Sequence, residues 1–438
     1  MDWGLVLILM LGSLVALLAA GLPVAFAFIV VNTIGAYFVF GGEAGLVQMV
    51  RNSVSSLTSF VLLPIPLFIL MGEIMFQSGV AQRAIGAIDR AITHVPARLS
   101  VVTIAGGSVF AALSGSSIAN TALLGNTLMP EMLRRGYHPT LAMGPILASG
   151  AIAVLIPPSA LAVLLGSMAK ISIAQLLVAG IVPALIMAVG FLAIIMLSAW
   201  MRPQLAPTDD LAARGMRERL MPLIVDVLPL SAILIAVVGS LLAGLATPTE
   251  SAAFGCVASL VVAIFYRSVS LLVVKRALMA TVHLSTTILF IVAASQTFSQ
   301  ILAFTGATQD FVAAISGVLT TPGTVMFGVI LVLLVLGCFV DPISMMMLTL
   351  PLVMPLAQHV QLDLLVLATA YLLTMEIGLL TPPVGLLLFV MKGIAPPEIR
   401  MRQIYAAIAP FLAVKLLVLL LIVTVPPVVH WLPRFVGR

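Results

Sequence analysis

Apolar runs of about 17–25 residues recur from one end of this chain to the other, and each is long enough to cross roughly 30 Å of hydrocarbon as a helix. That recurrence limits the folds open to the chain more than any other feature. Of its 438 residues 62% are hydrophobic and only 8% charged, and the mean hydropathy is +1.27. A soluble globule could not cover so much apolar surface, so the bilayer must act as its solvent. The short alternating segments of a strand barrel are missing. The expected fold is an all-α integral membrane protein.

The first twenty residues carry Asp2 and no basic leader, and they read as a first span rather than a cleaved signal. Cys256 and Cys338 lie in apolar stretches, where cysteine ordinarily serves as a small hydrophobe, so no disulfide or metal cluster is expected. The net charge of +5 would suggest a nucleic-acid partner in a soluble chain. In a membrane protein the placement of basic residues sets topology instead, and no nucleic acid is expected here.

Prolines reveal an internal repeat. One offset of 225 residues pairs Pro23 with Pro248, Pro130 with Pro355, and Pro157-Pro158 with Pro382-Pro383. Random placement would give about one such match, so the register implies two repeats. The halves are expected at 1–201 and 221–438, joined by a polar cytoplasmic linker at 202–220. Spans are expected at 4–20, 23–40, 58–78, 139–169 and 175–200, then at 226–244, 248–266, 280–304, 363–392 and 404–427. Residues 99–130 and 322–358 each form two shorter apolar pieces, read as re-entrant hairpins that do not cross.

Five crossings is an odd number, so the second repeat must insert with the opposite orientation. An external N-terminus puts fifteen of the twenty basic residues in the cytoplasm, among them Arg83, Arg90, Arg134, Arg135 and Arg400. Arg51, Lys170, Arg434 and Arg438 fall outside and Lys415 falls within a span, which fits the positive-inside rule.

Non-helical backbone at membrane depth survives only where protein, water or an ion satisfies its polar groups. Four such breaks are legible. Two lie at hairpin tips, Ser114-Gly115-Ser116-Ser117 with Asn120 following, and Asp341-Pro342. The others interrupt the spans after them, at Ile156-Pro157-Pro158-Ser159 and at Gly378-Leu379-Leu380-Thr381-Pro382-Pro383. Hydroxyl, amide and carboxylate oxygens together with freed carbonyls suit a hard cation such as sodium, and half-helix N-termini suit an anion. The competing structural readings are close packing of small residues at the SGSS tip and simple kinks at the proline pairs.

Glu73, Glu250, Asp341 and Glu376 lie in apolar stretches, where a carboxylate is a functional candidate by default. Asp341 and Glu376 flank the second proposed ion site, whereas Glu73 and Glu250 have a structural alternative. His283 reads as a packing residue on an apolar helix. Residues 82–98 read as an amphipathic helix along the cytoplasmic face, or as a solvated connector.

These motifs carry a resemblance. The segments 113–137 (LSGSSIANTALLGNTLMPEMLRRGY), 155–159 (LIPPS), 339–356 (FVDPISMMMLTLPLVMPL) and 376–390 (EIGLLTPPVGLLLFV) resemble the large permease subunit of TRAP transporters, within the wider ion-transporter superfamily of inverted repeats. The resemblance implies an elevator-type transporter of the bacterial inner membrane with two sodium sites. It also implies a separate small four-helix membrane subunit and a soluble periplasmic solute-binding protein that delivers the solute. Carried onto this chain, the first sodium site draws on Ser114, Ser116, Asn120 and the break from Gly150 to Pro157. The second draws on Asp341, Thr374, Gly378 and Thr381. A carboxylate solute would lie between the tips, against Ser116, Ser117, Pro158, Glu376, Pro382 and Pro383. Thr374 and Leu387 stand where an amide side chain is expected in many relatives. Sialic acid, dicarboxylates and other organic acids all remain open as solutes.

Four other classes compete. A stand-alone secondary anion carrier of the same superfamily would work without a binding protein. An intramembrane hydrolase would use Ser116, yet none of the five histidines falls near a hairpin tip. A passive channel would conduct without saturating. An ATP-driven pump would need a GxxxxGK[ST] loop, which the chain lacks.

Overall fold

A computed structural model describes residues 3–93, 95–150, 152–207 and 216–435, with the side chains at 112–114, 216 and 219 left out of that description. Residues 208–215 of the expected linker and His94 therefore lie outside the described residues. Every regular element described is helical. Six helices are long and apolar enough to cross a bilayer unaided, including Ile173–Met201, Leu271–Phe304 and Met401–Thr424. Large side chains such as Leu185, Val189, Leu271 and Phe327 point outward, as lipid-facing residues do.

The offset of 225 residues carries over to the elements. Val24–Val39 falls on Pro248–Phe265, Arg98–Ser114 on Pro322–Gly337, Pro139–Gly150 on Leu364–Gly378, and Ala160–Ala169 on Leu386–Ile394. The longest departure lies before the first hairpin. Glu43–Leu57, which hydropathy assigns to a loop, is an amphipathic helix, and a turn at 58–63 separates it from Pro64–Gln77. Their counterparts in the second half fuse into the single 34-residue helix Leu271–Phe304, about 51 Å long. Sequence explains the difference: Pro64 and Pro66 start a new helix in the first half, while Leu289 and Ile291 stand at the matching positions.

The amphipathic segment is shorter than expected. Val80–Ala91 buries Val80, Ala84, Ile85 and Ile88 and then stops at Ile92, whose backbone is extended. Arg98 belongs instead to the next helix, where it is buried and bonds Asp89 at 2.8 Å. The amphipathic helix docks on the entry to the second half, with Arg90 3.6 Å from Asp226 and Arg83 over the Tyr266 ring.

At the centre lie the two helix pieces that precede the breaks. Leu141–Gly150 and Leu365–Gly378 are buried at every position, so their all-round apolarity is a core signature. The hairpins cross them closely. A Cβ at Gly107 would lie 2.6 Å from Ser149 Cβ, and one at Gly378 would lie 2.6 Å from Gly337 Cα, so bulk at either position would push the helices apart.

Candidate functional site

The first hairpin turns at Gly115, whose φ of +58° favours glycine. Ser116 caps the following helix, Ser117–Thr127, and its hydroxyl accepts from the Ala119 amide at 3.3 Å. The Ser114 side chain lies outside the described residues. Ser117 is buried, and its hydroxyl donates to Glu376 Oε1 at 2.6 Å, tying this tip to the second half of the chain.

Asn120 is fully buried and donates to the Gly107 carbonyl at 3.3 Å, while its Oδ1 has no partner among the described residues. Thr121 Oγ1 is likewise buried and unpartnered. The Thr121 hydroxyl faces the end of the Pro139–Gly150 helix. A Cβ at Gly150 would lie 2.6 Å from Thr121 Oγ1 and 3.0 Å from the Ser117 carbonyl oxygen. Glycine is thus what lets these oxygens approach the chain where the first span breaks. Unpaired buried oxygens are rare because each costs about 1–3 kcal/mol, and a small hard cation is a group that would satisfy them. The donor set fits sodium. Thr121 was not among the residues singled out from sequence.

The first break is sealed. Ile152–Leu155, Pro157, Pro158 and Ser159 are all buried, and Gly115 packs against Pro158 and Ala160. Ser159 then caps Ala160–Ala169, accepting from the Ala162 amide at 3.2 Å.

The second site is built differently. Asp341 caps Pro342–His359, accepting from the Ile343 and Ser344 amides at 3.1 and 3.2 Å and from the Ser344 hydroxyl. The Thr374 and Thr381 hydroxyls each donate to a carbonyl one turn back, at 2.7 Å, which leaves their lone pairs free. Gly378 ends its helix against Gly337. Pro382, Pro383 and Val384 are exposed, with the Pro383 carbonyl accepting from Tyr405 Oη at 2.9 Å. Both proline pairs are joined by cis peptide bonds.

A cavity of about 280 Å³ lies between the two tips, lined by Glu73, Ser116, Ser117, Asp341, Pro342 and Glu376 among others. It brings together parts of both hairpins and the second broken span. Pro158, Pro382 and Pro383 are not among its lining residues. Of the other acids, Glu73 accepts from Gln77 at 3.1 Å and faces this space. Glu250 forms a capping box with Thr247 at an exposed helix start, so its task is structural. His283 is exposed and lines no part of the cavity.

Two helix pairs that turn at Gly115 and before Pro342, two interrupted helices and a cavity between them that Glu73, Ser116, Asp341 and Glu376 help to line make up the fold of a multi-helix membrane transport protein. The crystal structure of the Alcanivorax borkumensis YdaH transporter has this fold, with a TM-score of 0.62 and 15% identity over 94% of this chain and 96% of that one. The DctM component of tripartite ATP-independent periplasmic (TRAP) transporters matches residues 11–428 as a family, and the chain belongs to it. The C4-dicarboxylate TRAP large permease of Pseudomonas aeruginosa is 30% identical over 384 residues, covering 86% of this chain and 87% of its own length. The ectoine/5-hydroxyectoine large permease of Ruegeria pomeroyi is 31% identical over 380 residues, covering 85% and 86%. The protein is therefore a multi-pass permease of the bacterial inner membrane and not an enzyme.

Proposed function

We propose that this chain is the large subunit of a sodium-coupled importer of an organic acid. The solute is a carboxylate handed over by a periplasmic binding protein, and a small four-helix membrane subunit braces the carrier. The two halves are inserted with opposite orientations, and the hairpins with their broken spans move as one elevator-like body. The observation that carries this reading is the buried pair Asn120 Oδ1 and Thr121 Oγ1 behind the first hairpin tip, without partners among the described residues, with Thr121 Oγ1 facing Gly150.

Within that reading each group has a task. Asn120, Thr121 and the Ser117 carbonyl hold one sodium ion, together with backbone near Gly150. Asp341, Thr374 and Thr381 supply the second site. The Ser116-capped N-terminus of Ser117–Thr127 offers amide donors and a positive dipole end to the solute carboxylate. Coupling follows if sodium is held more tightly when the solute is present, since only differential affinity shifts a conformational equilibrium. The relatives are named for a C4-dicarboxylate and for ectoine, so the solute is assigned here as a class.

Uptake into vesicles carrying both membrane subunits, with the binding protein outside, is the test. Uptake should stop when potassium replaces sodium and when the binding protein is omitted. Undiminished uptake in sodium-free buffer would remove the coupling. Uptake by this subunit alone would point to a stand-alone anion carrier.

A further inference from the structure

Lys415 is the basic residue that this scheme leaves without a task. It lies within Met401–Thr424, is fully buried, and its Nζ makes no hydrogen bond among the described residues. An ammonium group at such depth is costly unless an opposite charge compensates it. Three helices that pack on this one, Pro139–Gly150, Ile181–Met201 and Leu364–Gly378, hold a single acidic side chain among them, Glu376.

Met401–Thr424 packs against Leu364–Gly378, the helix that carries Glu376. The hydrogen bond from Tyr405 to the Pro383 carbonyl sets Met401–Thr424 alongside the second broken span. Lys415 follows Tyr405 by ten residues, and Glu376 precedes Pro383 by seven. No hydrogen bond joins the two groups among the described residues, so compensation between them acts through space. Glu376 Oε1 holds the Ser117 hydroxyl, while Oε2 is buried with no hydrogen-bond donor among the described residues.

The arrangement belongs to the second half alone. At the positions 225 residues earlier stand Gly190 and Ala151. A Cβ at Gly190 would already lie 2.7 Å from Val414 Cγ1, so the first half has no room for a matching cation.

We propose that Lys415 is a resident counter-charge of the transport site. From behind the cavity its ammonium compensates the Glu376 carboxylate, which therefore keeps its charge at the cavity wall and anchors Ser117 at the first hairpin tip. Lys415 acts as a positioning residue, through Glu376, and does not touch solute. Its bearing on transport rests on the cavity being the solute path; the charge pairing does not.

The test uses the full-length purified chain with Lys415→Met, Lys415→Arg, Glu376→Gln and the double variant Lys415→Met/Glu376→Gln. Methionine keeps the shape of the side chain without its charge. Glu376 should then swing toward the cavity and its water, lowering Tm by about 5–10 °C. Amide exchange over residues 115–120 should rise about tenfold. Arginine should hold both readouts near wild type. The double variant should recover most of the loss, because glutamine still accepts from Ser117 and no charge is left uncompensated.

A Lys415→Met protein as stable as wild type would overturn the pairing, and so would a double variant no better than the sum of its singles. If no Lys415 variant can be purified, Glu376→Gln alone decides: a lowered Tm supports the pairing and an unchanged one overturns it. Uptake is read separately. Altered stability and exchange with unaltered uptake would sustain the pairing and overturn the cavity as solute path.

Discussion

The two breaks share a register and a double proline, yet they sit in opposite surroundings. At the first, Pro157, Pro158 and Ser159 are buried, and the neighbouring Asn120 and Thr121 oxygens have no partner among the described residues. At the second, Pro382, Pro383 and Val384 are exposed, the Asp341 carboxylate is engaged by its own helix, and Thr374 and Thr381 donate back to theirs. Equivalent sequence thus produces a buried break beside unpartnered oxygens and an exposed one whose side chains are hydrogen-bonded within their own helices. Carriers built from paired repeats work by exchanging such environments, and the asymmetry fits one end of that cycle.

The sharpest way to break the comparison is the same substitution at both breaks. Gly150→Ala puts a methyl group 2.6 Å from Thr121 Oγ1, among the free oxygens, and should reduce sodium-driven uptake at least about 100-fold with little loss of protein. Gly378→Ala puts it 2.6 Å from backbone at Gly337, where nothing flexible can yield. That variant should lose about 1–3 kcal/mol of stability, seen as lower Tm and yield. Equal effects on uptake and stability at both positions would erase the distinction.

Thiol labelling probes burial itself. With Cys256 and Cys338 replaced, Val384→Cys should react about 30-fold faster than Ser159→Cys with a water-soluble maleimide. Comparable rates would mean that both breaks are open. A smaller contrast comes from the threonines. Thr121→Val should raise the sodium concentration for half-maximal uptake about tenfold, whereas Thr374→Val should change it about twofold, because the Asp341 carboxylate remains at the second site.

Much of this architecture is legible in the chain because proline and apolar run length act locally. Pro157-Pro158 and Pro382-Pro383 mark the breaks, and the offset between them marks the repeat. What sequence hides depends on distant partners. Thr121 reads as an ordinary helical threonine until Gly150 is brought beside it. Glu43–Leu57 carries too many polar residues to pass as a span, and its amphipathic pattern shows only when read at helical period. Glu250 reads as an intramembrane acid, but its partner Thr247 lies outside the apolar run and turns it into a cap. The unequal burial of the breaks leaves no trace in composition at all, since it depends on which helices pack around each break.

The account turns on a cation held by the first hairpin and the first break. Melting of the purified permease in sodium against potassium, for wild type and Asn120→Ala, measures this without solute, partner subunit or binding protein. At saturating concentration sodium should raise the wild-type Tm by about 2–5 °C relative to potassium, and Asn120→Ala should remove about half of that difference, leaving the part due to the second site. Identical melting of the wild-type protein in the two salts would contradict it.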